Sequence, residues 1–129
     1  MQKILIIPEM MTKNSFFISR LICFNETFAS LRNHGQNVCV LWHEAIMGRN
    51  SSDVVCAYYN FMKFLGENVK NIVLWADNCA AQNKNWTLFI ACSILVDEEW
   101  GPETITFKIF EAGHSFMKAD SVHGLIGKK

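Results

Sequence analysis

The stretch Ile72-Val73-Leu74-Trp75-Ala76-Asp77-Asn78-Cys79-Ala80-Ala81-Gln82-Asn83-Lys84-Asn85-Trp86 decides how this chain is read. Its first five residues are apolar, with β-branched and aromatic side chains among them, and so short a run predicts a buried strand. Asp77 then stands at the strand's carboxyl end, with four amides and a lysine behind it. In open α/β sheets that end of a strand is where ligands bind. A carboxylate there can hold a divalent cation through oxygen, and Asn78, Gln82, Asn83 and Asn85 add neutral donors and acceptors that tolerate phosphate. The simpler reading is an Asp-Asn turn followed by an asparagine-rich helix cap. The residues themselves leave both readings open.

On either side of this stretch the apolar pattern marks out the other elements. Lys3 to Ile7, Phe16 to Phe24 and Val38 to Trp42 read as three strands, joined by the polar links Glu9 to Ser15 and Arg32 to Asn37. The second link carries His34-Gly35, a hairpin-turn signal. Asn50-Ser51-Ser52-Asp53 offers a helix N-cap with an early acid, and Val54, Val55, Tyr58, Phe61, Met62 and Leu65 recur at helical spacing as far as Gly66. Beyond the Asp77 motif, Trp86, Phe89, Ile90, Ser93, Ile94 and Val96 predict a largely buried second helix, closed by Gly101-Pro102. Thr104 to Phe110 alternates as a half-buried fifth strand, and a short helical tail begins near Met117. Trp75 and Trp86 are expected in the core.

The resulting order, β-β-β-α-β-α-β-α, predicts one α/β domain over residues 1–129: a mixed five-stranded sheet, antiparallel early and parallel late, flanked by helices. That order is the one found in ribonuclease H-like folds. Periodicity alone leaves other α/β arrangements open.

Half of the 129 residues are hydrophobic, enough for a core of ordinary size. Twelve basic and twelve acidic side chains cancel, so the strong positive field of an autonomous nucleic-acid binder is missing and any such binding rests on local charge. Lys118, Lys128, Lys129, His114 and His123 collect toward the C-terminus, a pattern that a solvated tail would also give. Five cysteines without a Cys-x-x-Cys pair point to buried thiols in a reducing, intracellular setting. With no signal-like or membrane-spanning run, no membrane partner is expected, and the Asn-x-Ser/Thr triplets at Asn25, Asn50 and Asn85 read as chance matches.

The Asp77 motif, together with Gly113-His114-Ser115-Phe116 and Asp120, resembles a family of transposon-derived proteins built on a DDE-type, ribonuclease H-like endonuclease domain. The family pattern is Asp-Asn-Cys, a small pair, Gln-Asn-Lys-Asn, then Gly-His-Ser/Thr with an acid a few residues on. Leu41-Trp42-His43-Glu44 and Gly48-Arg49 followed by Asp53 look like its Trp-x-Glu and Gly-Arg-x-x-x-Glu region, so the resemblance spans nearly the whole chain. It implies a nuclear, DNA-directed ancestor and a two-metal carboxylate site. The cations in such a site, Mg²⁺ or Mn²⁺ given hard oxygen ligands, lie roughly 4 Å apart.

Carried over by position, Asp77 and Asp120 are the metal-binding catalytic acids, Asp53 an auxiliary acid, and His114 a group that orients phosphate or shuttles a proton. Each has a plainer role beside it: Asp53 and Asp120 can serve a helix N-terminus, and His114 can be a structural hydrogen-bonding residue.

Two departures bear on the expected activity. The family supplies an acid in or beside the first strand, whereas Met1 to Ile7 holds none, so the domain is expected to lack its beginning and to be inactive as this chain. Glu9, Glu44 and Asp53 are the acids considered for the vacant corner. Ala81 stands where the family often has Gly, a change that costs on the order of 1 kcal/mol if the backbone needs positive φ there. The alternatives to a nuclease are a non-catalytic nucleic-acid-binding module using Lys84, Asn85, Lys118, Lys128 and Lys129 on phosphates, or a decayed fragment that aggregates or seeks a partner, including an oligomer of itself.

Overall fold

A computed structural model describes residues 2–7, 19–79, 84–111 and 117–126 of the chain. The elements are β1 (Gln2–Ile7), β2 (Leu21–Phe28), β3 (Val38–His43), α1 (Ser51–Leu65), β4 (Asn71–Ala76), α2 (Trp86–Asp97), β5 (Thr104–Ile109) and α3 (Lys118–Ile126). This is the expected order. The strands form two sheets, however, in place of the single five-stranded one: antiparallel β1-β2-β3 and parallel β4-β5. Antiparallel pairing between sequence neighbours and one crossover through α2 satisfy both sheets locally. Joining them would require a parallel ladder between strands distant in sequence, which is less stable per residue.

Strand β2 is the one element displaced from its expected place. It begins at Leu21 and continues through Asn25-Glu26-Thr27 to Phe28, so it includes three polar residues that an apolar run would not. The β2–β3 link turns through Arg32–Gly35, with the Gly35 N–H donating to the Arg32 carbonyl and His34 at φ 62°. Gly35 lies against Ser30, where a Cβ would approach the hydroxyl oxygen to 1.9 Å, so the turn needs a residue without one.

Helix α1 starts from a full capping box: Asn50 Oδ1 accepts from the Asp53 N–H at 3.1 Å and Asp53 Oδ2 accepts from the Asn50 N–H at 3.0 Å. It ends at Gly66, whose φ of 67° suits glycine and whose N–H reaches the Met62 carbonyl. Val54, Ala57, Tyr58, Phe61 and Met62, at the helical period, face inward. They meet Ile72 of β4 and Leu88, Cys92 and Leu95 of α2 in the main core, while Ala57 joins Phe24 and Trp42 beside it. Leu88 is fully buried, so Leu88→Ala would cost about 2–5 kcal/mol.

Helices α1 and α2 pack on each other and cover one face of both sheets, and α3 lies against β2 from the other side. The opposite face of β4-β5 stays open, with Val73, Trp75 and Lys108 exposed and the Lys108 ammonium 5.0 Å from the centre of the Trp75 ring.

Two sequence expectations change here. Trp75 and Trp86 are surface residues, 42% and 80% exposed, not core. Helix α2 is buried along one stripe only, with Ile90 and Ile94 exposed, because among the described residues nothing covers the side turned away from β5 and α1. Among the thiols, Cys92 is buried as expected while Cys39 and Cys56 are exposed. No helix among the described residues is long and apolar enough to cross a membrane.

Candidate acid site

Asp77 follows directly on β4, at the carboxyl end of the parallel pair, and is half-buried. Its Oδ1 accepts from the Cys79 N–H at 3.3 Å, an Asx turn that fixes the exit of the strand. Its electrostatic neighbours are Glu26 and Tyr58.

Glu26 is the residue that sequence reasoning missed. In a strand, alternate residues share a face, so Phe24, Glu26 and Phe28 point together toward α1. Phe24 packs with Trp42 and Ala57, and Phe28 stacks on Phe61 at 3.9 Å and meets the Tyr58 ring edge-on at 5.0 Å. Glu26 is therefore held between two aromatic residues and only 2% exposed. Burial pushes its carboxyl above the usual range and outweighs the chain's amino-terminal ammonium, which pulls it down; Asp77 adds a smaller push upward and the Arg49 guanidinium a smaller pull down. Burial raises the Tyr58 phenol strongly, with Glu26, Cys92 and Asp77 adding to the effect. The available signal was the apolar alternation Phe24-x-Glu26-x-Phe28, which puts a charge in a stripe of core residues. It was hidden because the strand was expected to stop at Phe24.

The other expected acids are tied up locally. Asp53 is buried and serves the α1 capping box. Asp120 is exposed in the first turn of α3, where its Oδ2 accepts from the Met117 N–H at 3.0 Å. Its electrostatic partner is His123 of the same helix. The contacts of Asp77 thus lead to β2 and α1, and those of Asp120 to α3. Glu44 is exposed at the end of β3, where its Oε1 accepts from the Ile22 N–H at 3.0 Å. His114, Lys128 and Lys129, with Glu9, lie outside the described residues.

Of the expected phosphate contacts, Lys84 is exposed, Asn85 is the N-cap of α2 with its Oδ1 accepting from the Leu88 N–H at 2.8 Å, and Lys118 donates to the Ser30 carbonyl. Each Asn-x-Ser/Thr asparagine likewise has a structural place: Asn25 is fully buried, and Asn50 and Asn85 cap helices.

Carboxylate oxygens are the right donors for Mg²⁺ or Mn²⁺. Yet no three His, Cys, Asp or Glu side chains gather into a metal-holding group among the described residues. Two acids in a partly dry setting can share a proton or hold one cation between them, but they do not make a complete two-metal set.

No family model, curated protein or solved structure matches this chain.

Proposed function

We propose that this chain is a ribonuclease H-like, transposase-derived DDE-type domain that retains part of a carboxylate site for phosphoryl transfer on DNA and does not cleave DNA by itself. The observation that carries this reading is Asp77 at the carboxyl end of β4, with the buried acid Glu26 as its electrostatic neighbour. A strand-end acid with a second acid within electrostatic reach supports a hard-cation site, and the three-stranded meander followed by a strand-helix-strand unit fits the element order of that fold. In this reading Glu26, not Glu9, Glu44 or Asp53, is the second acid. Asp120 and His114 enter from the C-terminal segment, and Mg²⁺ or Mn²⁺ would be held by Asp77.

The test is Mn²⁺ titration of the purified chain, followed by paramagnetic broadening of backbone NMR signals, with Asp77→Asn and Glu26→Gln beside the parent and plasmid nicking measured in parallel. Broadening centred on Asp77 and the neighbouring part of β2, lost in Asp77→Asn and without nicking, is the expected result. Broadening elsewhere, or none, would remove the metal site, and nicking by the parent chain would overturn the inactive state.

The non-catalytic DNA-binding alternative is weakened because Asn85 and Lys118 already hydrogen-bond within the protein, although Lys118 is exposed like Lys84. It predicts salt-dependent DNA retention that Lys84→Ala reduces.

A further inference from the structure

We propose that two copies of this chain join edge to edge through β3, antiparallel across a two-fold axis, so that two three-stranded sheets become one of six strands. Strand β3 ends its sheet, paired with β2 on one side only. The Glu44 N–H continues the β2–β3 ladder to the Ile22 carbonyl, and the alternation of an antiparallel ladder then turns the main-chain groups of Trp42, Val40 and Val38 toward β2. Those of Cys39 and Leu41 face the open edge, where they find no partner among the described residues. A two-fold axis at Val40 sets Cys39 of each copy opposite Leu41 of the other, and both pairs can then exchange two N–H to carbonyl bonds.

This edge lacks the devices that keep strands apart. Val38-Cys39-Val40-Leu41-Trp42-His43 holds no lysine and no proline, its register with β2 runs without a bulge, and Leu41 is 63% exposed.

Beside β3 runs an open groove of about 440 Å³, with the outer face of α1 as its second wall through Cys56, Asn60 and Phe64, one turn apart. None of its lining residues is charged, so a charged strand would lose hydration there without gaining a partner. A neutral strand fits, and β3 of a second copy is one. Twelve basic residues balance twelve acidic ones, so little net repulsion opposes two identical chains.

Analytical ultracentrifugation of the full chain over a concentration series tests this against Leu41→Pro and Leu41→Lys. The Leu41 N–H points to the open edge, so proline removes no ladder bond within the monomer while blocking an added strand. The parent should pass from one to two copies as concentration rises. Leu41→Pro should weaken that association more than about tenfold, a loss above about 1.4 kcal/mol, with its far-UV circular dichroism unchanged. If Leu41→Pro does not fold, Leu41→Lys carries the same expectation. A parent that stays monomeric throughout, open-ended oligomers in place of a dimer, or a folded Leu41 variant that dimerises like the parent would each overturn the proposal.

Discussion

On one face of β2, Asn25 and Thr27 meet His123 of α3 in a chain of hydrogen bonds; on the other, Glu26 lies between Phe24 and Phe28 with Asp77 as its electrostatic neighbour. Both are buried polar layers reached from alternate positions of a single strand. On the α3 face, the Thr27 hydroxyl donates to Asn25 Oδ1 at 3.3 Å and its oxygen lies 2.8 Å from His123 Nε2. With the hydroxyl proton directed to Asn25, the imidazole is the donor in that second contact, which assigns the proton to Nε2. Lys3 adds a bond to the His123 carbonyl at 3.2 Å. The α1 face instead buries a carboxylate under aromatic cover, and Asp77 adds a smaller repulsion. The α3 layer stabilises the attachment of a helix, whereas the Glu26 layer carries an electrostatic cost that a purely structural core would avoid.

The largest effect should come from breaking the first layer. Thr27→Val keeps the shape and the β-branch but leaves the His123 N–H and Asn25 Oδ1 unpaired, and buried groups stranded in this way cost about 1–3 kcal/mol. Chemical denaturation should show that loss. Thr27→Ser, which keeps the hydroxyl, should lose much less, and equal losses in both variants would mean that packing, not the hydrogen-bond chain, holds α3.

The second effect has the opposite sign and is somewhat smaller. Because the folded-state pKa of Glu26 is raised, the native protein holds this proton more tightly than the unfolded chain does. The penalty is absent below the ordinary value of 4.5, accumulates as pH rises toward the folded value, and is constant above it. Glu26→Gln should therefore stabilise the protein at neutral pH, with the gain shrinking as pH falls from the folded value toward 4.5 and gone below it. The gain should shrink in an Asp77→Asn background, where one source of repulsion is gone. A gain unaffected by Asp77→Asn would separate the two acids and remove the pair at the centre of the proposed site.

The contrast between the two layers also explains what could be read in advance. Helix α1 was legible down to its cap at Asn50 and its stop at Gly66, because capping residues act through their own backbone neighbours. The strand running into Asp77 was legible because its apolar run is continuous. β2 was misplaced because an apolar run is a poor guide to a strand carrying Asn25, Glu26 and Thr27 inward, and those residues become tolerable only through partners distant in sequence. His123 shows the same limit: in sequence it is one more basic residue near a lysine-rich end, and 96 positions separate it from Thr27. Asp53 and Asp120 fall between these cases. Their helix-start placement was readable, and the structure shows that placement in use.

His123 gives a third way to sharpen the comparison, through pH. Burial lowers its pKa below 6.5, the amino-terminal ammonium and then the Lys3 ammonium act in the same direction, and Asp120 opposes them. The unfolded chain then binds the proton first, so stability falls as pH drops below 6.5 toward the folded value. Thr27 and Asn25, the other polar groups at this contact, are not ionisable. The protection factors of the α3 amides, after correction for the intrinsic pH dependence of exchange, should fall below pH 6.5 while those of α1 and α2 hold, and in His123→Gln this step should disappear. A uniform fall in protection across the helices would place the acid-sensitive element elsewhere.

The smallest effect concerns Asp120, and it separates the two roles open to that residue. Asp120→Asn keeps an oxygen that can accept from the Met117 N–H but removes the charge at the start of α3, worth about 0.3–1 kcal/mol at an exposed helix end. If Asp120 is a cap and no more, the loss should stay in that range and Mn²⁺ broadening around Asp77 should not change. If it also reaches the cation, the broadening should weaken although the fold is barely perturbed. A metal ligand contributes through its charge at the ion, whereas a cap contributes through one oxygen at one N–H, and the amide preserves only the second. Binding that falls while stability holds would extend the two-acid pair toward the C-terminal helix, and unchanged binding would confine it to Asp77 and Glu26.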